Sequence, residues 1–138
     1  MSNHYSKAAW FVMLLSILIL YPCSAAAQTL IQNIRHWSAP DHTRIVIDTD
    51  REPKYAVDKM EQKLNIDFQD ARPGKMVPAK IILKRPGTEK IYLTRRPDRT
   101  VRISVALPRH AEAKVFKLKK FQDKPDRVVI DIEFPDVE

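Results

Sequence analysis

The sequence predicts an all-β fold: a small antiparallel β-sandwich of two sheets with an internal pseudo-repeat, preceded by a signal peptide. Two observations favour strands over helices. Apolar and polar residues alternate with a period of two, and turn residues interrupt the chain at short intervals. No window after residue 27 carries an apolar stripe at helical spacing. Antiparallel sheets bury one face and expose the other, which is what the alternation requires.

The first 27 residues have the order of a secretory signal. Lys7 precedes the apolar run Ala8–Leu20, and an A-x-A site follows at Ala25–Ala27. A membrane-spanning helix needs about 20 apolar residues, and this run is shorter. We predict residues 1–27 to be a signal peptide cleaved after Ala27 and residues 28–138 to be the folded domain. One alternative is an uncleaved anchor, which would be the chain's only contact with the membrane. A lipoprotein signal through Cys23 is less favoured, because Leu-Tyr-Pro places no small residues before the cysteine.

Removal of the signal leaves a chain without cysteine, because Cys23 lies within it. A disulfide framework is therefore excluded for residues 28–138, although the chain enters an export route. About 110 residues suffice for one small domain that buries roughly two-thirds of its surface. We expect a single domain stabilised by its apolar core.

The strands follow in order from the stretch Arg44–Thr49, where Ile45 and Ile47 alternate with Arg44 and Asp48 after a turn at Pro40-Asp41. Similar alternation recurs in four later runs: Leu64–Phe68, Val101–Val105, Phe116–Lys119 and Val128–Phe134. Asp70–Lys80 is the least regular segment and is predicted to be a long loop. The predicted core-facing residues are Ile45, Ile47, Leu64, Ile66, Phe68, Val101, Ile103, Val105, Phe116, Leu118, Val128, Ile130 and Ile132.

Two pairs of segments repeat within the chain. Pro40–Thr43 and Pro97–Thr100 each lead into an alternating strand, and Ile66–Phe68 and Ile130–Ile132 are both apolar-Asp-apolar. This indicates two related half-domains, each contributing about one sheet. Chance similarity among short strands is the alternative.

The segment Ile34–Asp48 reads I-R-x-W-S-x-P-x-x-T-R-I-V-I-D, and Lys124–Asp131 reads K-P-x-R-V-V-I-D. These patterns resemble the AMIN domain, which precedes the catalytic domain of periplasmic N-acetylmuramoyl-L-alanine amidases and occurs in type IV pilus secretins. The resemblance implies a periplasmic, non-catalytic targeting module. Such a module binds peptidoglycan and localises a wall enzyme or envelope machine, for example an amidase at the septum. The alternative is an assembly subunit of a secretin or another envelope complex without glycan contact.

Residues for catalysis are missing from the sequence. The histidines after the signal, His36, His42 and His110, lack the spacing of a zinc site, and there is no nucleophile motif or glycine-rich phosphate loop. Asp48 and Asp131 are interpreted as inter-strand partners of nearby cations and not as an acid/base pair. We expect no catalytic residue, no metal and no cofactor.

Positive charge is concentrated in the second half of the chain. The net charge is +7, and residues 72–127 hold seventeen cations against five acids. We predict that this half binds the anionic wall, and the alternative is a solvated surface. Nucleic acid is not expected, since export removes that partner. Tyr92 is included in the predicted binding set because its side chain points opposite to those of Ile91 and Leu93. Trp37 is expected to cap the core, and the alternative is an exposed ring that stacks on sugar faces. The predicted binding residues are Arg95, Arg96, Arg99, Arg102, Lys117, Lys119 and Tyr92.

Overall fold

The computed structural model describes residues 7, 10, 27–84, 88 and 90–135. The predicted signal peptide lies outside the described residues except for Lys7, Trp10 and Ala27. Among the residues described, no helix has the length and apolar character needed to cross a membrane. The described residues between 27 and 135 contain ten strands: β1 Thr29–Ser38, β2 His42–Thr49, β3 Tyr55–Met60, β4 Lys63–Phe68, β5 Ala71–Pro73, β6 Lys80–Ile82, β7 Lys90–Arg95, β8 Val101–Ala106, β9 Glu112–Leu118 and β10 Asp126–Glu133.

The strands form two five-stranded sheets, which confirms the all-β prediction. Sheet A has the order β5-β1-β2-β10-β9, and sheet B has the order β3-β4-β8-β7-β6. All neighbours are antiparallel except β1 and β5, which are parallel. Apolar residues from both sheets share one core, so the two sheets pack as a sandwich.

The internal repeat relates β1–β4 to β7–β10, but each half does not form one sheet as predicted. Each half contributes one hairpin to each sheet, β1–β2 and β9–β10 to sheet A and β3–β4 and β7–β8 to sheet B. The hairpins of the two halves meet side by side, through β2 with β10 and through β4 with β8. The expectation fails because the chain crosses to the other sheet after every hairpin.

The predicted core is confirmed on the central strands β2, β4, β8 and β10, where every predicted inward residue is buried. It is wrong on β9. Val115 lies opposite the buried Ile130 and packs against the core, which puts Phe116 and Leu118 on the outer face of sheet A. Lys117, in turn, lies opposite Val128 and not on the outer face. Because β9 is an edge strand with adjacent apolar residues, its alternation does not fix which side faces inward.

Trp37 does not cap the core. It lies opposite Arg44 on the outer face of sheet A, is 59% exposed, and its ring contacts His42 edge-on at 5.0 Å between ring centroids. Residues near a strand end can reach either face, and the pairing with Arg44 decides the side. This corrects the interpretation of Trp37 from the sequence.

The segment predicted to be a long loop, Asp70–Lys80, is partly ordered as a strand. Ala71–Pro73 pairs in parallel with the beginning of β1 at Thr29–Ile31. Gly74 ends this strand, and its N–H donates to the carbonyl of Ile31 at 2.8 Å. The pairing brings Arg72 next to the turn between β7 and β8, where several of the predicted binding residues lie.

Candidate functional site

In each sheet, one bidentate ion pair joins the two central strands on the outer face. In sheet A, Arg44 donates from Nε and an η nitrogen to the two oxygens of Asp131 at 2.6 and 2.7 Å. In sheet B, Arg102 makes the same contact with Asp67 at 2.7 and 2.8 Å. The two pairs occupy equivalent positions in the repeat. The interpretation of Asp131 as an inter-strand partner is confirmed.

Asp48 is also an inter-strand partner, and it pairs with Arg35 on β1. The guanidinium of Arg35 donates to both carboxylate oxygens, at 2.8 Å each. This hydrogen bonding raises the pKa of Arg35, as the contact with Asp67 raises the pKa of Arg102. Arg102, predicted to bind a ligand, is therefore already engaged by a carboxylate of its own sheet.

Four arginines surround one cavity at the end of sheet B, which we call the arginine pocket. Arg95 ends β7, Arg96 and Arg99 lie in the following turn, and Arg72 comes from β5. The cavity has a volume of about 200 Å³ and is also lined by Gln28 and Thr100. Three of the predicted binding residues thus come together. Arg72 was missed, since only the parallel pairing of β5 with β1 brings it here.

The turn that carries these arginines is fixed by its backbone. Arg96 N–H donates to the carbonyl of Thr100 at 2.8 Å, and Thr100 N–H donates to the carboxylate of Asp98 at 3.3 Å. Arg99 has a φ of 62°, the left-handed conformation, and its carbonyl accepts from Ala71 N–H at 3.0 Å. The last contact ties the turn to β5, so both walls of the arginine pocket are held together.

The arginine pocket carries excess positive charge. Arg99 pairs with Asp70 at 2.6 Å. Within the described part of the chain, the side chains of Arg72, Arg95 and Arg96 form no hydrogen bond or ion pair. Three guanidinium groups remain available for planar, two-point contacts with a carboxylate or phosphate.

Of the two predicted lysines, Lys117 lies on the other sheet and Lys119 directly follows that sheet's edge strand β9. Lys117 is on the edge strand β9 and its Nζ hydrogen-bonds the carboxylate of Glu52 in the connection between β2 and β3. This contact, with the charge of Lys119 added, lowers the pKa of Glu52. The lysines therefore do not line the arginine pocket, and Lys117 is paired.

Tyr92 lies in a second depression, on the outer face of sheet B. This depression, which we call the β8 groove, has a volume of about 510 Å³. Tyr92 is 43% exposed, as expected from its phase opposite to the buried Ile91. The other main lining residues are Lys63, Lys90, Thr94, Ser104 and Ala106. Lys63 and Lys90 were missed, because neither was distinguished from other lysines by sequence pattern.

The described residues contain no cluster of three or more histidine, cysteine or acidic side chains that could hold a metal ion. His42 Nδ1 lies 2.7 Å from Asp41 Oδ1. Both residues line a cavity of about 580 Å³ at the end of sheet A where β2 begins and β10 ends. Glu112 and Glu133 line the same cavity, with Asp131 held by Arg44.

In a comparison with known protein families, residues 33–132 match the sequence profile of the AMIN domain. The match spans β1 to β10 and includes both Arg–Asp pairs that join the central strands. Comparison with curated proteins gives no match. AMIN is a non-catalytic module of periplasmic and envelope proteins. Because the match covers most of the 138 residues, the chain belongs to the AMIN domain family, the peptidoglycan-associated targeting or assembly modules of the cell envelope.

Proposed function

We propose that this protein binds peptidoglycan in the periplasm and thereby localises a wall enzyme or envelope machine, such as an amidase at the septum. The signal at residues 1–27, cleaved after Ala27, directs the export. The protein itself is not catalytic. One observation carries the proposal: the arginine pocket, where the side chains of Arg72, Arg95 and Arg96 form no hydrogen bond or ion pair within the described ranges.

The stem peptides of peptidoglycan present repeated carboxylates, which guanidinium groups bind through two parallel hydrogen bonds. A cavity of about 200 Å³ has room for one such terminal group and not for a whole peptide. A single exposed pair of this kind is worth only about 0–1 kcal/mol. Retention on the wall therefore depends on several arginines and on the many stems of one sacculus acting together.

The test is co-sedimentation of the purified protein with clean sacculi. Reversal of Arg72, Arg95 and Arg96 together to Glu should abolish retention. Reversal of Lys54, Lys59 and Lys120 changes the net charge equally, outside the arginine pocket, and should leave most of the protein bound. Retention of the parent should fall as salt rises, because exposed charges are screened over about 8–10 Å near physiological ionic strength.

Two results would contradict the proposal. The arginine variant could stay folded and sediment as well as the parent does. Alternatively, both variants could lose retention equally, in which case net charge and not the arginine pocket would hold the protein on the wall. Arg102 and Lys117 are left unchanged, because their reversal would place two carboxylates together at Asp67 and Glu52.

The second candidate function is assembly with an envelope protein such as a secretin, without glycan contact. It is favoured by the outer face of sheet A, where Phe116 is partly exposed and covers the buried Val129, and Leu118 is 40% exposed. Exposed apolar groups of this kind are typical of protein contacts. If the parent protein fails to sediment with sacculi, while Leu118→Asp abolishes its capture of a purified secretin, this second function replaces the first.

A further inference from the structure

We infer that the β8 groove binds the sugar strand of the wall, with Tyr92 as the surface on which a pyranose ring stacks. The occupant is a saccharide that carries acylated amino groups. This inference rests on the proposed function only for the source of the glycan. The site itself is separate from the arginine pocket, which the proposed function assigns to peptide carboxylates.

The shape of the β8 groove follows from the side chains of three neighbouring strands. Ser104 and Ala106 on the central strand β8 are small and form the floor. Lys63 on β4 forms one wall, and Lys90 and Tyr92 on β7 form the other. The cavity of about 510 Å³ falls within the range of about 300–1,000 Å³ that small-molecule sites occupy.

The internal repeat provides a comparison for this site within the same molecule. When Arg102 is aligned with Arg44, Ser104 corresponds to Val46 and Ala106 corresponds to Asp48. Tyr92 lies beside Ser104 as Arg35 lies beside Val46. In sheet A this position is filled by the ion pair between Arg35 and Asp48.

Sheet B has no such pair, since Ala106 stands where sheet A has Asp48 and Tyr92 stands where it has Arg35. The space is open in sheet B and is lined by an aromatic ring in place of a guanidinium. The β8 groove is therefore a specific difference between two halves that share the same strand pairing.

The chemistry of the walls identifies the class of occupant. The ammonium groups of Lys63 and Lys90 can only donate hydrogen bonds, and they have no hydrogen-bond or ion-pair partner among the residues described. Thr94, which follows Tyr92 on β7, also lines the groove. A ligand rich in acceptor oxygens satisfies these donors, and its apolar ring face can cover Tyr92.

Sugars with acylated amino groups combine these properties, because each ring offers hydroxyl oxygens, a carbonyl oxygen and one apolar face. The ring of Tyr92 is reached on its β6 side by Lys80, whose Nζ lies 6.0 Å from the ring centroid. Lys80 does not line the β8 groove, whereas Tyr92 does.

The test uses the tetramer of β-1,4-linked N-acetylglucosamine, which contains the sugar and no peptide, titrated into the protein and followed by amide NMR. The amides of Ser104 and Ala106 should shift, with a dissociation constant on the order of 1 mM. Tyr92→Ala should weaken this binding about tenfold or more, and Tyr92→Phe should stay within about threefold of the parent, because stacking needs the ring and not the hydroxyl.

Trp37→Ala is the matched control, since it removes an aromatic side chain that is 59% exposed on the outer face of the opposite sheet. It should leave the affinity for the tetramer unchanged. A second variant, Lys63→Gln with Lys90→Gln, should also weaken binding and does not depend on how Tyr92→Ala folds. A parent protein whose groove amides do not respond, or a Tyr92→Ala variant that is folded and binds as the parent does, overturns the inference.

The two proposals fail separately. If the tetramer does not bind while the parent sediments with sacculi and the arginine variant does not, the β8 groove is not a sugar site and the proposed function stands. If the tetramer binds at Tyr92 while the arginine variant sediments like the parent, the sugar site stands and the peptide contact in the arginine pocket is wrong.

Discussion

Replacement of Ile130 by Ala tests how sheet A is built around β10. Ile130 is fully buried and lies between Ile45 on β2 and Val115 on β9. The substitution removes three carbon atoms, worth roughly 0.8 kcal/mol each, or about 2.4 kcal/mol for their transfer from water. The cavity left between three strands adds to this, so the free energy of unfolding should fall by about 3–5 kcal/mol.

Phe116→Ala is the comparison that makes this result informative. Phe116 is the larger side chain, and the sequence predicts it to face the core, but it lies on the outer face opposite Val129 and is partly exposed. Its truncation should therefore cost less than half of what Ile130→Ala costs. Both values come from urea unfolding followed by circular dichroism, with the slope of the transition checked for two-state behaviour.

The order of the two losses is the decisive result. If Phe116→Ala destabilises the protein as much as Ile130→Ala or more, then β9 has the opposite phase. In that case Lys117 points to the outer face, and its contact with Glu52 is not formed. A loss below about 1 kcal/mol for Ile130→Ala would contradict its position in a closely packed core.

Three further predictions follow from other parts of the chain. Gly74→Ala should lower stability by about 1–3 kcal/mol in urea unfolding, because a Cβ there would lie 3.0 Å from the carbonyl oxygen of Ile31; a neutral result would mean that β5 shifts freely. The hydrogen bonds from Arg102 lower the pKa of Asp67 in the folded protein. The pair therefore stabilises the fold at a pH above about 3.9, the pKa of Asp in the unfolded chain, and this stabilisation is lost as the pH falls through the lower pKa of the folded protein. The thermal midpoint should therefore drop on acidification below about pH 4, and Asp67→Asn should reduce that drop; an identical profile would show that the pair contributes nothing. The purified protein, with or without zinc, should release no muramic-acid-linked peptide from clean sacculi by chromatography, and release would reveal an active site.

The sequence predicts most of the core, because each central strand is paired on both sides and its alternation determines which side chains face inward. Ile45 and Ile103, for example, are fully buried in equivalent strands, as predicted. The prediction of the inward face fails for Phe116, which lies on the edge strand β9, and for Trp37, which lies near the end of β1. Local alternation contains no information about which partner strand will set the side.

The partition of the strands between sheets could not be predicted for a different reason. A repeat shows that two segments are alike, but it does not show whether the copies associate within a sheet or across the core. The candidate sites depend on such distant pairings. Arg72 lies near Arg95 only because β5 runs parallel to β1. The β8 groove is recognised only when Ala106 is compared with Asp48, which occupies the equivalent position in sheet A.

The position of β10 between β2 and β9 has a consequence for how the chain reaches its native state. The contact between Arg44 and Asp131 spans 87 residues, whereas the equivalent contact in sheet B spans 35. Pairings so distant in sequence are slow to form, and a chain made from its amino end must wait for its last strand before sheet A can close. Until then β2 offers an open row of N–H and C=O groups to any other strand. A chain truncated before β10 should therefore aggregate through β2 and not persist as a half-formed domain.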